Sequence, residues 1–118
     1  MKQLFDALGK WGCNVDDALV RLLGDEELYI DCLESVQCDP AFYALGDALR
    51  AGDKESAFEN AHTLKGVLGN LSLTPLSVTV SEMVEPLRGG SDDGLMPVYE
   101  QLMAQRKELE DILSQYKK

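Results

Sequence analysis

The stretch Ala57-Phe58-Glu59-Asn60-Ala61-His62-Thr63-Leu64-Lys65-Gly66-Val67-Leu68-Gly69-Asn70-Leu71 decides the fold. On a helix turning ~100° per residue, Ala57, Ala61, Leu64, Leu68 and Leu71 recur at steps of four and three and make one apolar stripe. The stretch therefore reads as an amphipathic helix with a buried face. His62, the chain's one histidine, falls roughly 140° from the centre of that stripe. Its ring is expected in solvent, with Gly66 and Gly69 close beside it and Lys65 one turn away.

That combination points to a phosphohistidine carrier. A neutral imidazole near pH 7 keeps one unprotonated nitrogen that can attack phosphorus. Lys65, at i+3, supplies a mobile countercharge within side-chain reach of whatever His62 carries. Glycine inside a helix costs about 1 kcal/mol relative to alanine, so two on the histidine's side call for a steric reason. Access by a second protein is one. The plainer readings are a solvated surface lysine and glycines that merely permit close helix packing.

Outward from this helix, the rest of the chain reads as helix too, because β-branched residues are scattered and no strand alternation persists. Residues 2 to 11 form a short amphipathic segment ending near Gly12. Asn14 then caps a second short helix running to Gly24, with Leu19, Leu22 and Leu23 as its core side. Asp25 caps a third, in which Leu28, Cys32, Leu33 and Val36 keep helical spacing. Asp39-Pro40 opens the stretch bearing Phe42, Leu45 and Leu49, which closes at Ala51-Gly52. Asp53 caps the His62 helix, which should run to about residue 71. Thr74-Pro75 starts the next, with Leu76, Val80, Met83, Val84 and Leu87 on one side, Pro86 bending its last turn, and Gly89-Gly90 ending it. The final helix runs from about Gly94 to the C-terminus, with Leu95, Val98, Tyr99, Leu102, Met103, Leu109, Ile112, Leu113 and Tyr116 as its seam. Short connections between four longer helices predict an all-α, antiparallel up-and-down four-helix bundle, with the short N-terminal helices covering one end.

At 118 residues, with 45% hydrophobic and 27% charged residues, the chain is expected to be one domain over 1–118. No stretch approaches the ~20 apolar residues of a membrane span, and the opening residues lack a secretory pattern. A cytoplasmic monomer is expected. The start at Met1 and end at Lys118 favour a free-standing carrier. The formal charge of −10, from 21 acidic and 11 basic residues, argues against nucleic acid as a partner. Cys13, Cys32 and Cys38 have no Cys-x-x-Cys spacing and read as buried structural thiols in a reduced compartment, not as zinc ligands with His62.

The stretches Asp53 to Ala57, Ala61-His62-Thr63-Leu64-Lys65-Gly66 and Asn70-Leu71, with the upstream Gly24-Asp25-Glu26-Glu27-Leu28-Tyr29, resemble histidine-containing phosphotransfer (HPt) domains over roughly residues 14 to 113. The resemblance implies a carrier whose exposed histidine takes a phosphoryl group from a receiver domain's aspartyl phosphate and hands it to another receiver. Carried over by position, His62 is the phosphoacceptor, Lys65 steadies the phosphoryl charge, and Gly66 and Gly69 let the receiver close over the ring. Phe58, at the edge of the stripe, offers apolar contact to a docking partner. The partners implied are response-regulator receiver domains and a hybrid histidine kinase. Magnesium comes with the receiver, and the carrier needs no cofactor of its own. No Gly-rich phosphate loop is present, so the chain is a relay and not an ATP-dependent kinase.

Two departures from the family pattern stand out. Val67 and Leu68 follow the glycine where serine or alanine is common, which predicts bulkier packing behind the histidine. Many members also place a glutamine or glutamate on the following helix against the imidazole, and the aligned position here is Val84, with Ser81 and Glu85 as neighbours. The rival reading is a non-catalytic helical module that binds a receiver or kinase without carrying phosphate.

Overall fold

The computed structural model of the chain describes residues 2–116. It contains seven helices: α1 (Lys2–Trp11), α2 (Val15–Arg21), α3 (Glu26–Gln37), α4 (Pro40–Ala51), α5 (Lys54–Asn70), α6 (Thr74–Arg88) and α7 (Leu95–Tyr116). Among the described residues there is no strand. The final two positions of the last predicted helix lie outside them.

Four helix starts are written locally. The carboxamide of Asn14 accepts from the amide of Asp17 at 3.1 Å, and the carboxylates of Asp25 and Asp53 accept from Leu28 and Ser56 at 3.0 and 3.1 Å. Asp39 accepts from Ala41 at 2.9 Å, with Pro40 in the first helical position. Each bond satisfies an amide that the helix itself leaves without a partner. Gly52 closes α4 in the left-handed conformation, at φ 70°, where a Cβ would be penalised.

Helices α4 to α7 pack in a ring, each against the next and α7 back against α4. Two- and three-residue links at 52–53 and 71–73 and a longer one at 89–94 reverse the chain between neighbours, which gives the antiparallel bundle. Leu45, Ala57, Ala61, Leu64, Leu68, Leu76, Val80, Met83, Val84 and Leu102 share its core. At this size, burying such leucines stabilises by about 1.5–3 kcal/mol each. Tyr99 of α7 donates its hydroxyl to the Phe42 carbonyl at 2.8 Å. The ring crosses α4 at Gly46, where a Cβ would lie 2.5 Å from its Cζ. Glycine is required there because any side chain would displace a buried aromatic.

The N-terminal helices gather over the α5–α6 link. Asn14 donates its amide to the Ser72 carbonyl at 3.2 Å, and Tyr29 donates its hydroxyl to the Leu71 carbonyl at 3.0 Å. Arg21 does most here. Its guanidinium reaches the carbonyls of Asn70 (3.0 Å) and Gly69 (3.4 Å), the Ser72 hydroxyl (2.9 Å) and the Asp17 carboxylate (2.6 Å). It thereby caps the C-terminal end of the His62 helix with charge of the favourable sign.

Three expectations need correction. Helix α2 ends at Arg21 and does not reach Gly24; Leu23 turns the chain at φ 58° and is 95% exposed, so it is not on the core side. Leu28 is 43% exposed because Tyr29, not Leu28, joins Leu33 and Val36 on the buried side of α3. Only Cys13 is a buried thiol; Cys32 is half-buried and Cys38 exposed. Helix α6 continues through Pro86 to Arg88. Among the described residues no helix is long and apolar enough to cross a membrane.

Candidate functional site

Helix α5 presents its buried face through Ala57, Ala61, Leu64 and Leu68. The opposite face carries His62, Lys65 and Gly66, all exposed, with Gly69 half-exposed. Around the helix axis, Gly66 and Gly69 flank His62 at about 40° and 20°, while Phe58 and Lys65 lie on one side at about 40° and 60°. The structure thus keeps together every site residue read from the sequence.

Among the described residues nothing packs against either glycine's α-carbon where a side chain would stand. A Cβ built on Gly66 or Gly69 meets nothing within 4 Å, whereas one on Gly46 collides. Close helix packing therefore does not account for them. Val67 lies about 140° around the helix from His62 and lines a groove with Arg21, Leu22 and Cys32. Leu68 is in the core. The extra bulk after Gly66 consequently falls on the core and groove sides of α5, behind the histidine and away from its open face.

The imidazole lies beside an aromatic ring. Its ring centroid is 5.6 Å from that of Phe58, with the planes tilted by 30°. The Arg88 guanidinium lies over the Phe58 ring at 5.2 Å and is itself paired with Glu85 at 3.4 Å. Sequence reasoning missed Arg88: thirty residues separate it from Phe58, and only the packing of α6 on α5 brings them together. Among the described residues no side chain hydrogen-bonds the His62 ring, and no carboxylate pairs with Lys65. Val84 is fully buried, the Ser81 hydroxyl donates to the Ser77 carbonyl at 2.7 Å, and Glu85 is engaged with Arg88. Among the described residues no three His, Cys, Asp or Glu side chains cluster as metal ligands.

A family model for the Hpt domain matches residues 36–118. The chain belongs to the Hpt domain family. The matched span begins near the end of α3 and takes in the whole α4–α7 ring with His62, later than the resemblance read from residue 14. Hpt domains are phosphotransfer modules of two-component systems, phosphocarriers rather than kinases, and the family implies interaction with receiver domains and histidine kinases. No curated protein and no solved structure matches the chain.

Proposed function

We propose that this Hpt domain is a phosphohistidine carrier in which His62 accepts a phosphoryl group from one receiver domain's aspartyl phosphate and delivers it to another. The observation that carries the reading is the pair Gly66 and Gly69, which leave open space beside an exposed histidine that no described residue fills. Such a gap, kept at a cost in helix stability, suits a partner that must come close.

In the forward step a lone pair on an imidazole nitrogen forms the N–P bond while the bond from phosphorus to the aspartyl oxygen breaks, and its electron pair returns to the receiver's carboxylate. The reverse step moves the pair back to the ring as a second aspartate attacks. Transfer of this kind needs in-line placement and charge stabilisation more than covalent machinery from the carrier. Lys65, with no carboxylate partner among the described residues, supplies a cation that can follow the phosphoryl oxygens. The receiver brings magnesium.

Incubation with a phosphorylated receiver domain and magnesium tests this. Acid-labile, alkali-stable label is expected on the wild-type chain and not on His62→Gln. Stable binding to receivers without label would instead identify a docking module that carries no phosphate.

A further inference from the structure

We propose that Phe58, held in place by Arg88, orients the His62 imidazole for attack, taking over the task that a polar side chain at position 84 would perform. The inference rests on His62 being the phosphoacceptor and adds a positioning residue to it.

Three observations converge. The first is the contact itself: centroids 5.6 Å apart and planes 30° from parallel, within the range of attractive aromatic pairs, between residues at i and i+4 on one helix. The second is that Phe58 is constrained from outside its own helix. It is half-buried, and a guanidinium 5.2 Å over its ring is anchored in turn to Glu85. The third is that, among the described residues, no side chain hydrogen-bonds the His62 ring. Val84 is committed to the core, Ser81 bonds its own backbone, and Glu85 faces Arg88.

The geometry also suits the chemistry. The nucleophilic lone pair of an imidazole lies in the ring plane, so a neighbouring ring inclined by 30° to that plane restricts its rotation without occupying a nitrogen as a hydrogen bond would. In a docked complex the phosphorus is fixed by the receiver, and the attacking nitrogen has to lie on its axis. A misplacement of 1 Å costs about 10²-fold in rate. A ring–ring contact differs from a hydrogen bond in one respect: it restricts the plane of the imidazole without selecting which nitrogen bears the proton.

The test separates orientation from docking. Single-turnover transfer from a phosphorylated receiver is followed at increasing carrier concentration for wild type, Phe58→Leu, Phe58→Tyr and Arg88→Met. Phe58→Leu is expected to lower the saturating rate at least about tenfold with the half-saturating concentration within twofold, and Phe58→Tyr to restore it. Arg88→Met, which leaves the ring but frees it, should give a smaller loss. Because the chain has a single histidine, the ring protons of His62 can be assigned directly by NMR. Their ring-current shift should persist in Phe58→Tyr and vanish in Phe58→Leu, with thermal melting confirming that each variant folds. A raised half-saturating concentration at unchanged saturating rate would overturn the proposal and make Phe58 a docking contact. Ring protons unmoved by Phe58→Leu would overturn it as well. A wild-type chain that takes no label while keeping the ring-current shift would refute the phosphoacceptor reading and the positioning role with it.

Discussion

Replacing Gly66 and Gly69 by alanine should make the protein more stable and a worse carrier. Both positions have ordinary helical backbone inside α5, and an added Cβ at either meets no atom within 4 Å. Alanine therefore enters without strain and removes the conformational freedom that glycine gives the unfolded chain. Each replacement is expected to add about 0.5–1 kcal/mol, so the pair adds about 1–2 kcal/mol. For a chain of this length that raises Tm by roughly 4–8 °C. Urea titration at unchanged slope would register it as a higher midpoint. Transfer should move the other way. Two methyl groups placed where a receiver closes on the ring act as overpacking in an interface, a loss of about 1–3 kcal/mol in the docked state, or roughly 5- to 150-fold in half-saturating concentration. Wild-type transfer by the stabilised double variant would refute the argument that the glycines keep the approach open. A fall in stability would refute the prior step, that nothing in the chain occupies the space.

Other positions give sharper structural tests. Gly46→Ala drives a Cβ into the Tyr99 ring and breaks the hydroxyl bond to Phe42, so a loss of about 2–4 kcal/mol is expected in the same titration. Leu23 sits at φ 58° with its side chain in solvent, so Leu23→Gly should raise stability by about 0.5–1 kcal/mol with no change in transfer. Burial pushes the Cys13 thiol from 9.0 up to about 12, opposed by a hydrogen bond with the Thr74 backbone. A folded value above the unfolded one gives stability that is complete below pH 9.0 and is lost as pH rises towards 12. At pH 10.5 the loss is about 2 kcal/mol, and Cys13→Ala should show a correspondingly smaller drop in urea midpoint between pH 8 and 10.5. Burial also raises the Tyr29 phenol, so the residual pH dependence of that variant keeps the same sign.

Helix starts were legible because each is decided within four residues: Asn14, Asp25, Asp39 and Asp53 cap their own chains. Helix faces were legible where the period runs unbroken, as from Ala57 to Leu68. The failures are tertiary. Apolar spacing carried α2 on to Leu22 and Leu23, but Arg21 is tied across to the carbonyls of α5 and the chain turns away directly after it. In α7 the seam passes through Gln105 and Arg106, whose buried Oε1 and Nε find no partner among the described residues. Periodicity gives no reason to expect polar side chains there. Arg106 does bond the Gln37 carbonyl at 3.1 Å and lies 5.6 Å from the Tyr43 ring, so α3 and α4 supply the context that α7 alone lacks.

The same division runs through the site. The exposed face of α5 follows from its own sequence, whereas the residues beside that face come from α6. Aligning position 84 with a polar residue presumes that this turn of α6 looks at the histidine. Leu76, Val80, Met83, Val84 and Leu87 fill the α6 core positions instead, and the valine buried among them has no polar atom to offer the ring. The next exposed turn of α6 carries Arg88, a cation and not an acceptor, and it meets the face of Phe58. Among the described residues the one aromatic ring beside the exposed imidazole is that of Phe58, one turn back on its own helix.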